Sequence, residues 1–276
     1  MSVSKEHAAA WVRSVAPQHV ASNCRQYKWG TYVGQRSTSS ALGFQTDLNP
    51  VEGKVVEVSD DYVLLKTSRN EFFVAAKQVL SSVPDVGAAC RITPYARRRW
   101  DGMRLDTPVE SVENGIAFKT YRLGDNRSYL PIDKKAIVCD QFRDMIDVIE
   151  REAADEIRTV AQMLIDAGAL TQPVFFQDVI DPEDIIDKPP TLRFRVSTSK
   201  HVGYVEVSYD RAADAFNVSI LNDDMSVLSR ETDVHIVMEG ASDIGKIIMD
   251  AVDDGSWRIA PVEILKKAPA RKAIAA

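Results

Sequence analysis

Val51-Glu52-Gly53-Lys54-Val55-Val56-Glu57-Val58, then Ser59-Asp60-Asp61, then Tyr62-Val63-Leu64-Leu65-Lys66-Thr67 read as strand, turn and strand. The outer pieces are rich in β-branched and apolar residues, and the Ser-Asp-Asp break between them is turn chemistry. Ser68-Arg69-Asn70 marks the next turn and Glu71-Phe72-Phe73-Val74 the next strand, so the pattern is an antiparallel meander. Pro84-Asp85-Val86-Gly87 turns the chain again before Cys90-Arg91-Ile92-Thr93-Pro94-Tyr95, and strand-like pieces follow at 103–106, 115–121 and 128–132. A compact run of such short strands predicts a small antiparallel β-barrel of SH3-like or OB-like type over 51–135.

Upstream, Ser4 is placed to cap a helix over 4–16, with Ala8, Trp11, Val12 and Val15 at helical spacing and Pro17 ending it. Residues 22–50 are rich in Ser, Thr, Gly and Asn, with aromatics at Tyr27, Trp29, Tyr32 and Phe44, and read as a partly ordered arm. Together these make an N-terminal region of 1–50.

Downstream, Val138, Phe142, Met145, Ile146, Ile149, Ala153, Ile157, Val160 and Leu164 step by three and four. The spacing predicts one long amphipathic helix over 136–168, stopped at Gly168. Pro and Asp then dominate up to Pro189-Pro190, which sets the expected domain boundary and makes 136–190 a helix with an acidic linker.

Residues 191–265 read as a second α+β unit, an antiparallel β-meander with one helix. Its strands are Leu192–Val196, His201–Tyr209, Phe216–Ile220 and a piece ending near Val234–Met238. Ser242 caps the helix, Gly255 closes it, and Trp257–Ile259 with Val262–Leu265 supply a last strand. The tail 266–276 is basic and without apolar periodicity, and is expected to be disordered. The whole is an α+β chain of at least two small domains.

Composition narrows the function classes. The 276 residues carry a net charge of −6, and 45% are hydrophobic, ordinary values for a globular protein. A net acidic chain is not coated in nucleic acid, although a local basic surface fits within that average. No apolar run reaches the roughly 20 residues that span a bilayer, and no signal-peptide core stands at the start, so no membrane partner is expected. Cys24, Cys90 and Cys139 are odd in number and far apart, which points to reduced thiols and a cytoplasmic setting.

The search for chemistry finds no phosphate-cradling Gly-rich loop, no nucleophile elbow and no zinc-binding His pair. His7, His19, His201 and His235 are scattered. The expectation is no catalytic residue, no metal site and no cofactor. The acids Asp178, Asp181, Glu183, Asp184 and Asp187 could suit a hard cation, but they lack the spacing and glycine of a calcium loop.

Two charged stretches remain. Arg91, Arg97, Arg98, Arg99 and Arg104 against Asp101 give a local charge of +4, with Trp100 inside the run and Tyr95 before it. Arginine forks match phosphates and an aromatic can stack on a base, so Arg97, Arg98, Arg99, Trp100 and Arg104 are the candidate nucleic-acid contact. Lys266, Lys267, Arg271 and Lys272 are a flexible second one. Over 136–190 the local charge is −9. Asp147, Glu150 and Asp155 on that helix are the candidate contact for a basic host protein.

Gly53-Lys54-Val55-Val56-Glu57-Val58-Ser59-Asp60-Asp61-Tyr62-Val63, then Leu80 and Val83-Pro84-Asp85-Val86-Gly87, and finally Ile92-Thr93-Pro94-Tyr95 resemble the KfrB-type domain. That small domain occurs on plasmid maintenance and conjugation proteins. The resemblance implies a protein of a plasmid or related mobile element, near DNA or the machinery that handles it, and brings no catalytic residues. The leading expectation is therefore a non-enzymatic accessory protein that contacts nucleic acid or a nucleoprotein. The alternatives are an acidic protein-binding module or inhibitor that mimics nucleic acid, and a metal-dependent hydrolase built on the 178–187 acids.

Overall fold

The computed structural model describes residues 4–22, 24, 26–34, 46–120, 126–235 and 243–269. In chain order its elements begin with α1 (Lys5–Val15), β1 (Lys28–Tyr32), β2 (Val51–Val58), β3 (Tyr62–Ser68), β4 (Glu71–Ala76), β5 (Ala89–Ile92), β6 (Val109–Glu113) and β7 (Ile116–Thr120). They continue with α2 (Asp140–Arg151), α3 (Val160–Asp166), β8 (Phe175–Gln177), β9 (Thr191–Ser197), β10 (Val202–Asp210), β11 (Ala215–Leu221), β12 (Val227–Val234), α4 (Asp243–Val252) and β13 (Val262–Lys266). The chain is mixed α+β and falls into two compact units. One comprises 1–96 with 255–276, and the other 97–254.

In the first unit, Ser4 accepts a hydrogen bond from the His7 N–H and starts α1 as its sequence predicts. Ala8 and Val12 point from α1 into a core with Val55, Leu64, Leu65, Val74 and Ile92, while Trp11 stacks on Tyr62. The sheet order is β1-β4-β3-β2-β5-β13. β1 runs parallel to β4, and the other pairings are antiparallel. The strands 51–95 thus form the meander their turns predict, but among the described residues β1 and β13 are edges and no pairing closes the sheet into a barrel. β13 belongs here beside β5, not with the 191–265 meander. Across that arrangement Arg91 bridges Glu52 on β2 and Glu263 on β13 at 2.6 and 2.8 Å. The 103–106 and 128–132 pieces form no strand, and Trp257 lies in a short 3-10 turn.

In the second unit, β12-β11-β10-β9-β8 make an antiparallel sheet. Alternation turns Leu192, Phe194, Val196, Val205, Val207, Val218 and Ile220 to one face. There they share a core with Phe142, Ile146 and Ile149 of α2, Val160 and Leu164 of α3, and Ile244 and Ile248 of α4. Pro189-Pro190 is therefore not a boundary between units, because the residues on both sides of it pack into this one core.

The single helix expected over 136–168 is two helices. Glu152 turns extended after α2, and Asp155 accepts the Ile157 and Arg158 N–H groups at 2.7 and 2.8 Å. Thr159 and Gln162 then form a capping box that starts α3. The Arg158 side chain, 0% exposed, sits in the break between Asp155, Asp166 and Asp253. Gly245 of α4 lets that helix approach closely, since a Cβ there would lie 2.7 Å from the Ala153 carbonyl oxygen. β6 and β7 form a separate hairpin turned by Asn114 and Gly115, both at positive φ. It leaves Val112, Ile116 and Phe118 exposed.

Candidate functional site

The arginine run does not make a common basic face. Arg97 is 3% exposed and donates to Asn126 Oδ1 at 2.8 Å. Arg99 pairs with Asp101 at 3.0 Å and donates to the Thr107 carbonyl. Arg104 forks onto Asp106 at 2.7 Å, and this hydrogen bond holds the Asp106 carboxyl below its ordinary pKa. Trp100 packs on the core with its ring 5.9 Å from that of Phe194. Arg98 alone among the predicted arginines is exposed. Of the tail, Lys266 ends β13 and Lys267 is exposed, while Arg271 and Lys272 lie outside the described residues.

The acids expected to form a partner-binding face are engaged within the fold. Glu150 is 1% exposed, accepts the Leu130 N–H at 2.9 Å and pairs with Lys134 at 2.5 Å. Asp147 pairs with the same Lys134 and with Arg151. Burial works to lower the Lys134 pKa, and the two carboxylates outweigh it, so its ammonium is held above the usual value. Asp155 belongs to the Arg158 cluster.

The 178–187 acids also have local duties. Asp178 accepts the Val138 and Cys139 N–H groups at the start of α2, Asp181 caps Glu183, and Asp184 pairs with Lys188. Among the described residues no three His, Cys, Asp or Glu side chains are placed to hold a metal ion.

A different surface in the first unit gathers groups that the sequence does not single out. The parallel β1–β4 pairing sets Lys28 beside Glu71 and Trp29 beside Phe72, so the start of β1 lies against the β3–β4 turn. The turn is the two-residue Arg69-Asn70 connection, and the Lys28 N–H donates to the Asn70 carbonyl at 2.9 Å. Between them is a groove of about 710 Å³ lined by Gln26, Tyr27, Lys28, Ser68, Arg69 and Asn70, with Glu71. Glu71 accepts the Ser68 hydroxyl. Lys28 and Arg69 are exposed and have no carboxylate partner among the described residues. The Tyr27 ring is braced edge-on by Phe72 at 5.9 Å. Asn70 Oδ1 is buried and has no hydrogen-bond partner among the described residues.

No protein-family model, curated protein or solved structure matches the chain. Within the described residues no helix is long and apolar enough to cross a membrane.

Proposed function

We propose that this chain is a non-enzymatic accessory protein that contacts nucleic acid through the Tyr27–Asn70 groove of its first unit. The observation that carries the reading is the pair of exposed cations, Lys28 and Arg69, without carboxylate partners among the described residues and beside an aromatic ring. Two such cations can each take a phosphate, and Tyr27 offers a ring for a base. The contact moves away from Arg97, Arg99 and Arg104, whose guanidinium groups serve neighbours in the second unit.

The mobile-element setting rests on the resemblance of 51–95 to the KfrB-type domain, a stretch that folds as β2 to β5. A cytoplasmic location is supported by three free thiols at Cys24, Cys90 and Cys139. The test is fluorescence anisotropy of labelled single-stranded and duplex oligonucleotides at low salt. Tyr27→Ala is expected to weaken single-strand binding by about 1–3 kcal/mol and duplex binding less, as loss of base stacking requires. Equal losses on both would remove the stacking role from Tyr27.

A further inference from the structure

The second unit holds a cleft of about 440 Å³, inside the roughly 300–1,000 Å³ range of small-molecule sites, that nucleic-acid contact does not use. Its floor is apolar. Phe216 and Val234 pair across β11 and β12, and the Tyr209 ring meets Phe216 edge-on at 6.0 Å. Its rim is polar and comes from three elements. α2 supplies Gln141 and Asp144, the β10–β11 turn supplies Arg211 and Asp214, and His235 follows β12.

The two rim carboxylates differ in what they already do. Asp214 sits at φ +50° and accepts the Tyr209 hydroxyl at 2.5 Å, so its charge is committed. Burial, and then Asp214 itself, push the Tyr209 pKa up, which keeps that hydroxyl a donor. Asp144 is exposed and has no ion pair or hydrogen bond among the described residues. It lies past the first turn of α2, beyond the reach of the helix's positive N-terminal end. Gln141 stands one turn before it on the same helix side; its carbonyl oxygen accepts the Cys139 thiol at 3.3 Å and has a second lone pair for a ligand.

We infer that this cleft binds a small organic cation, a protonated primary amine carried on an aromatic or aliphatic body. The ammonium is held by Asp144 and Gln141 Oε1, and the body lies against Phe216 and Val234. The rim's arginine, Arg211, acts on Tyr209 beside Asp214, at the end of the cleft where that carboxylate sits, so Asp144 is the rim charge that faces the ligand. Beside an apolar floor it selects a cation of that shape and disfavours the anion of the same body.

Phenylethylamine is the probe, with phenylacetate as its opposite-charge counterpart, measured by ligand-observed NMR and calorimetry on the full chain. Wild type is expected to bind phenylethylamine and not phenylacetate. Asp144→Asn, at an exposed position, is expected to weaken the amine about tenfold or more with an unchanged melting temperature, as loss of a charge-assisted hydrogen bond implies. The proposal is overturned by any of three results. These are no amine binding at millimolar concentration, equal binding of amine and acid, or an Asp144→Asn variant that binds the amine as wild type does.

Discussion

Replacing Arg158 by Met tests the centre of the second unit. The guanidinium is 0% exposed and is gripped by Asp155 at 2.8 Å, Asp166 at 3.2 Å and Asp253 at 2.6 Å. Burial alone would lower the Arg158 pKa. The three carboxylates more than offset it and keep the group above its usual value, so it is charged at every working pH. Methionine fills much of the volume but removes the cation that the three mostly buried carboxylates share. Removing one partner of a buried ion pair costs about 3–5 kcal/mol. For a unit of this length each kcal/mol moves the melting temperature by about 2–4 °C, so a drop of about 6–20 °C is expected. Thermal unfolding followed by far-UV circular dichroism, with Arg158→Lys as a charge-keeping control, reads it out. Lysine should recover part of the loss, since it restores the charge but not the fork. A Met variant that melts within a degree or two of wild type would refute the view that this cluster joins the α2–α3 break to the end of α4.

Glu152 gives a pH prediction. Burial pushes its carboxyl pKa up, and its side chain has no ion pair among the described residues. Charging it therefore opposes folding. The penalty is absent below the ordinary carboxylate value, grows as pH rises from there through the raised folded value, and is complete above it. Glu152→Gln should melt higher than wild type at pH 7, with the difference vanishing in acid. Gly245→Ala should destabilise the second unit by about 1–3 kcal/mol in urea titration, because its Cβ would meet the Ala153 backbone rather than a movable side chain. Thiol labelling of the native protein should modify Cys24 first. Cys90 and Cys139 are buried, and burial pushes the Cys90 thiol pKa up, so both should react only as the chain opens.

Local chemistry made the strands of 51–95 legible, because each is bounded by Ser, Asp, Asn, Pro or Gly. Sheet membership was not legible. Val262–Leu265 alternates like any strand, and nothing in that pattern tells that its neighbour is β5 rather than β12. The break inside 136–168 did carry a signal, Thr159-x-x-Gln162, but unbroken apolar spacing across it masks the cap. The arginine run misleads for a similar reason. Arg99-x-Asp101 and Arg104-x-Asp106 are self-neutralising pairs, and a window closed at Arg104 leaves the second carboxylate out. The groove could not be read at all, since Tyr27 and Lys28 meet Arg69 and Asn70 only through the parallel β1–β4 pairing of distant segments. The hydrophobic identity of the 191–221 strands predicted their own sheet, but not that α2 and α3 would share its core.

The salt dependence of oligonucleotide binding tests the functional claim most directly. A labelled single strand is titrated at several salt concentrations with wild type, with Lys28→Ala/Arg69→Ala, and with Arg98→Ala as the one exposed member of the arginine run. Each lost phosphate contact lowers the slope of log K against log salt by about 0.7 on a single strand, so the double variant should flatten it by about 1.4. Arg98→Ala should leave the slope where wild type has it. A flattened slope for Arg98→Ala with an unchanged double variant, or no wild-type binding at the lowest salt, would contradict the account.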